Sequence, residues 1–305
     1  MASRSSDDLA RRSFGRVLTA MVTPFSAEGE LDIDSAQRLA THLVDRGNDG
    51  LVISGTTGES PTTSDSEKER LLRAVVDAVG DRARVVAGVG TNDTSHTIEL
   101  ARAAEKAGAH GLLVVTPYYN KPPQTALVRH FEMAADATGL PVMLYDIPGR
   151  TGTPIEFDSL MRLAAHDRVV AVKDAKGDVF EGSRVIHETG LAYYSGDDAL
   201  NLAWLTHGAV GVVSVVGHVA AREYADMVVA VEQGDLATAL RLHRRLLAVV
   251  RAVMTRSSQG AITAKAALHA LGIIGSRTVR PPLFEATEAE VDALQRVVEA
   301  SGIGS

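Results

Sequence analysis

The chain has 305 residues, enough for one large α/β domain, alone or with an appendage, and for a sizeable core. Its 45% hydrophobic and 23% charged residues are ordinary for a globular protein, while a net charge of −7 with scattered basic residues argues against a nucleic-acid partner. With no cysteine it has neither disulfides nor thiolate metal ligands, which suits a reducing, cytoplasmic setting, and no apolar run approaches the roughly 20 residues that span a bilayer.

The opening MASRSSDDLARRS has no apolar centre, so residues 1–14 are expected to form a flexible tail rather than a signal peptide. Strand-length apolar runs then recur: RVLTAMVTPF (16–25), GLVISG (50–55), RVVAGVG (84–90), GLLVVTP (111–117), PVMLYDIP (141–148), VVAVKDA (169–175), LAYYSG (191–196) and GVVSVVG (211–217). Amphipathic, helix-length segments separate them. Asp32 or Asp34 is placed to cap the first and Gly47 to end it; Thr94 and Gly108 bracket the segment SHTIELARAAEKAG in the same way. Eight strand–helix units at roughly 25 to 30 residues each predict an α/β fold, a (β/α)₈ TIM barrel over 15–234 that carries the active site. A doubly wound sheet would want a G-x-G-x-x-G loop after an early strand, and GTTGES (55–60) lacks that spacing. From 235 to 305 the strands stop, and DLATALRLHRRLLAVVRAVM, ITAKAALHALGI and TEAEVDALQRVVEA predict a three-helix C-terminal appendage.

In such a barrel the chemistry stands at the C-terminal ends of the strands. Those ends collect Thr56, Thr57 and Glu59, then Tyr118 and Tyr119, Tyr145 and Arg150, Lys173, Gly196, Ser214 and His218. The set is poor in metal ligands, and His218 is read as a polar residue opening the eighth helix. No metal is expected from this set.

Lys173 is the anomaly, an ammonium inside an apolar strand. Burial in a low dielectric disfavours the charged form and leaves a nucleophilic amine near neutral pH, able to form a Schiff base with a ketone. A lysine that snorkels to water, or pairs with Asp174 or Asp178, fits the strand pattern equally well. Tyr145 and Thr56, on other strand ends, are available as a hydroxyl chain for the proton transfers that imine formation needs. The GTTG turn presents backbone N–H groups and hydroxyls to a small carboxylate, and Arg150 in PGRTG is either a fork for a second carboxylate or a surface arginine.

In their order and spacing, GTTGE (55–59), TPYYNKP (116–122), YDIPGRTG (145–152), VKDA (172–175) and SGDD (195–198) resemble the dihydrodipicolinate synthase family of pyruvate-dependent class I aldolases, from about Gly15 to the final helix. The resemblance implies condensation of pyruvate with L-aspartate 4-semialdehyde, the entry to diaminopimelate and lysine. It implies Lys173 as the Schiff-base lysine, Tyr145 beside it and Thr56 as the hydroxyl relay, with no metal or organic cofactor. Tyr119 matches the tyrosine lent across a dimer interface, so a homotetramer built as a dimer of dimers is expected. Thr57 matches the pyruvate-carboxylate position and Arg150 the arginine that receives the semialdehyde. Gly196 and Val213 match pocket-lining positions, the latter usually a larger aliphatic residue. Where lysine-inhibited members carry histidines and a glutamate, this chain has Asp65, Lys68 and His96, so weak or absent inhibition by lysine is expected. Sialic acid or 2-keto-3-deoxy sugar acid aldolases share the barrel and the lysine, and a silent pyruvate-binding barrel is the non-enzymatic alternative.

Overall fold

The structure, a computed structural model, describes residues 3–255 and 260–303. Eight strands, β1 (Val17–Ala20), β2 (Gly50–Ile53), β3 (Arg84–Gly88), β4 (Gly111–Val115), β5 (Val142–Asp146), β6 (Val169–Asp174), β7 (Ala192–Ser195) and β8 (Gly211–Ser214), pair in sequence order into a closed parallel barrel. Each lies within one of the apolar runs read from the sequence. Closure comes from pairing of β1 with β8, Leu18 facing Val213. Parallel pairing requires a crossover after every strand, and helices supply it.

Local chemistry sets the helix ends. In α2 (Ile33–Asp45), Asp32 is the cap: its carboxylate accepts from the Ser35 N–H at 2.9 Å, and Gly47 follows the helix at φ +106°, a conformation costly for residues with a Cβ. In α3 (Asp65–Val79), Ser64 and Glu67 form a reciprocal capping box. The cap of α4 (Thr94–Lys106) is Asp93 rather than Thr94; the Asp93 carboxylate accepts from Ser95 at 2.8 Å, and Thr94 becomes the first helical residue. The crossovers continue with α5 (Gln124–Asp136), the one-turn α6 (Pro148–Thr151), α7 (Phe157–Leu163), α8 (Val179–Thr189), α9 (Asn201–Thr206) and α10 (Gly217–Glu232). The C-terminal region holds α11 (Leu236–Val253), α12 (Gly260–Ala270) and α13 (Glu288–Ser301).

One expectation is overturned. Residues 1 and 2 lie outside the described residues, but Ser3–Phe14 form a helix, α1, instead of a flexible tail. Ala10 and Phe14, four apart on one face, are fully buried and join Leu18, Val52, Val86, Leu113, Met143 and Tyr194 in the interior of the barrel. The polar composition of this segment masks how few anchors such a plug needs. Space for it comes from glycines that open strands: a Cβ on Gly50 or Gly111 would collide with Phe14, and one on Gly211 with the Arg16 backbone. The Tyr194 hydroxyl completes the seal by donating to the Gly15 carbonyl at 2.7 Å. Among the described residues no helix is long and apolar enough to cross a membrane.

Candidate active site

Period-two alternation along β5 and β6 decides what enters the barrel. Register pairs Met143 with Ala171 and Tyr145 with Lys173, so the last inward layer before the mouth sets a phenol beside an amine. The Lys173 Nζ stands 4.1 Å from the centroid of the Tyr145 ring, and each residue is only 5% exposed. The lysine therefore neither snorkels to water nor pairs with a neighbour on its own strand. Burial lowers its pKa to about 7, partly opposed by the negative charge of Asp198 and reinforced by the positive charge of Arg150. At neutral pH a large share of this side chain is free amine.

Tyr145 is shifted the other way. Burial pushes the phenol up to about 12, against the pull of Arg150 and of a hydrogen-bonding interaction with Thr56, so it stays protonated and able to donate. Thr56 is exposed at the mouth and Thr57, next to it, is buried. The turn that carries them is backbone-strained at both ends: Ser54 has φ 58° and Glu59 φ 54°. Thr23 pins it from β1's loop, its hydroxyl donating to the Gly58 carbonyl at 2.6 Å.

Arg150 sits on α6, whose Pro148 starts the single turn and whose Gly152 ends it at φ +73°. It lines one cleft of about 210 Å³ together with Gly55, Thr56, Tyr118 and Tyr145. Gly196 packs against the lysine itself; its N–H donates to the Asp174 carbonyl at 2.7 Å, and a Cβ there would meet Lys173 Cγ at 2.9 Å. Val213 is buried in the interior layer with Tyr145 and Ala171.

The structure thus brings Lys173, Tyr145, Thr56, Arg150 and Gly196 to one end of the barrel. It does not bring Tyr119 there. That residue is 89% exposed with φ 72°, and its neighbour Tyr118 lines the cleft instead. His218 is occupied structurally: its Nε2 accepts from the Val22 N–H at 3.0 Å, which leaves Nδ1 to donate to the Val215 carbonyl at 2.7 Å. Burial takes its pKa down to about 4, so it remains neutral. No group of three or more His, Asp or Glu side chains is placed to hold a metal among the described residues.

Asp198, inside the SGDD motif, was not among the residues singled out. Its buried carboxylate accepts from Ser214 Oγ, from Asn201 at 3.0 Å and from the Val215 and Val216 N–H groups at 2.9 and 3.0 Å. Those donors stabilise a full negative charge close enough to act on Lys173. A small carboxylate beside a strand end was the available signal, but its partners lie up to 18 residues away.

Residues 13–301 match the model of the dihydrodipicolinate synthetase family. The chain belongs to this family. It is 66% identical over 292 residues, 96% of this chain and 94% of the relative, to the 4-hydroxy-tetrahydrodipicolinate synthase of Kineococcus radiotolerans. Among solved structures it is similar to the family member from Cyanidioschyzon merolae with lysine bound, at 41% identity and TM-score 0.91, covering 95% of this chain and 99% of that one. It is also similar to the chloride-inhibited Acinetobacter baumannii dihydrodipicolinate synthase complexed with pyruvate, at 33% identity and TM-score 0.90, covering 94% and 98%.

Proposed function

We propose that this family member is a lyase of the class I aldolase type, a 4-hydroxy-tetrahydrodipicolinate synthase that condenses pyruvate with L-aspartate 4-semialdehyde. The observation that carries the reading is the sequestered Lys173 amine against the Tyr145 ring, with a pKa of about 7.

In the proposed sequence the Lys173 Nζ lone pair attacks the pyruvate C2 carbonyl to give a carbinolamine. Loss of its hydroxyl with one proton, as water, leaves a protonated imine. The imine nitrogen takes up the electron pair released when a methyl proton departs, which forms an enamine. Tyr145 and Thr56 hand these protons along, the phenol giving one to the leaving hydroxyl and recovering another from solvent through the threonine. The enamine carbon then bonds to the aldehyde carbon of the semialdehyde, and the aldehyde oxygen takes a proton. The amine of the joined substrate attacks C2 and expels Lys173, closing the ring and restoring the enzyme. Thr57 and the N–H groups of its turn receive the pyruvate carboxylate, and Arg150 at the rim the carboxylate of the semialdehyde, a charge that favours an amino-acid semialdehyde over a polyol. Gly196 and Val213 complete the wall. No metal or organic cofactor enters any step.

Tyr119, held outward by a strained backbone, is assigned to the site of a neighbouring subunit in a homotetramer assembled as a dimer of dimers. The net charge and the lack of cysteine support a cytoplasmic enzyme without a nucleic-acid partner. Borohydride reduction in the presence of pyruvate, followed by intact mass and peptide mapping, tests the reading: a single reduced pyruvate adduct at Lys173 is expected, and an unmodified chain or an adduct elsewhere overturns it.

A further inference from the structure

The turn bearing Thr56 and Thr57 is held from the far end of the chain. Glu59 closes it: its N–H donates to the Thr56 carbonyl at 3.1 Å, and the next residue, Ser60, donates to the Gly55 carbonyl at 3.3 Å. To do so Glu59 adopts the left-handed φ 54°, ψ 38°, a conformation a residue with a Cβ keeps only when its surroundings over-determine it. What over-determines it is the carboxylate, 1% exposed. Oε1 accepts from Lys265 Nζ at 2.5 Å, and that side chain is wholly buried; Oε2 accepts from the Arg280 N–H at 2.8 Å. Lys265 lies on α12 and donates as well to the Thr278 carbonyl at 2.8 Å. Both cations stack over the ring of Phe25, each at 4.1 Å.

A glycine would adopt this backbone without help. Here a glutamate is kept in place by an ion pair to a helix outside the barrel, so the torsion at residue 59 and the position of Thr56 depend on the appendage. We infer that Lys265 is a positioning residue: by holding Glu59, the C-terminal appendage sets the orientation of the Thr56–Tyr145 proton relay. This rests on the reading of Lys173, Tyr145 and Thr56 given above. An apolar residue at 265 leaves a buried carboxylate without its counter-charge, and the turn relaxes toward whatever solvates it.

A cycle of Lys265→Met, Thr56→Val and the double variant, assayed for kcat and for pyruvate KM, tests it. Lys265→Met is expected to lower kcat roughly tenfold or more in the native background but by less than about twofold once Thr56 is already valine, because a relay can be lost only once. If Lys265→Met does not fold, Glu59→Gln with Lys265→Met removes both buried charges and runs through the same cycle with the same expectation. Equal fold-losses in both backgrounds, or a lowered Tm with unchanged kcat, overturn the inference. Borohydride trapping on the unaltered protein separates the layers: no adduct sinks the active-site reading and the positioning role with it, whereas an adduct with an additive cycle sinks the positioning role alone.

Discussion

The two ends of the barrel are built from the same eight strands and share almost no chemistry. At the N-terminal end, glycines at strand starts let α1 push Phe14 and Ala10 into the interior, and the ring of Phe14 meets Tyr194 edge-on at 6.3 Å between centroids. At the C-terminal end the inward layer is an amine, a phenol and a glycine, ringed by a strained turn and an arginine. The difference teaches that the dry end conditions the reactive one. The Lys173 pKa is lowered chiefly because burial is the largest influence on it, and burial deep in a parallel barrel holds only while the opposite opening is sealed.

Breaking the reactive end has the largest effect. Lys173→Met is expected to abolish the reduced pyruvate adduct and to lower turnover by more than about 10³-fold. Tyr145→Phe keeps the ring against the lysine but removes the proton donor, and a loss of about 10²-fold in kcat is expected with adduct formation slowed rather than prevented. Breaking the sealed end is the sharper test of the comparison. Phe14→Ala opens a cavity at a fully buried site, so a loss of about 3–5 kcal/mol in denaturant unfolding is expected. Water entering from below also relieves the desolvation of Lys173, so its pKa moves up and the rising limb of the pH–rate profile shifts to higher pH. In the unaltered protein, adduct formation is expected to rise with pH through about 7, falling roughly tenfold per unit on the acid side, because only the unprotonated amine attacks. The smallest effect is expected from lysine. Lys68 pairs with Asp65 at 3.5 Å and His96 Nε2 lies 2.9 Å from the same carboxylate, so that acidic group is already engaged beside a cation. Millimolar-range lysine should leave turnover unchanged, and a strong drop in rate would count against this.

Much of this contrast was legible before the fold was known, and the illegible part has a common cause. The barrel announced itself in eight apolar runs because every strand is covered on both sides and therefore apolar throughout. Lys173 stood out for the same reason, as the one ammonium in such a run. Tyr145 and Thr56 followed from their places at strand ends, whereas the pairing of Tyr145 with Lys173 is a matter of register, which composition does not encode. The reading failed at α1, where two buried apolar residues suffice to plug a barrel and nine polar neighbours hide them. Lys265 and Arg280 were silent because their partner Glu59 lies 206 and 221 residues away, and a charge inside an apolar helix looks like an exposed one until its neighbours are known. Tyr119, 89% exposed, takes no part in the single-chain site, and its proposed role rests on the resemblance alone.

Gly196 limits how this pocket can be remodelled. A methyl group there would press on the Asp174 carbonyl at 2.9 Å and on the Lys173 stem at 2.9 and 3.0 Å, so even alanine shifts the Lys173 side chain. Attempts to broaden aldehyde acceptance by saturating this position would select for displaced lysines rather than for wider acceptance. Val213 and the rim around Arg150 are the places where shape can be varied while the proposed nucleophile, Lys173, stays put.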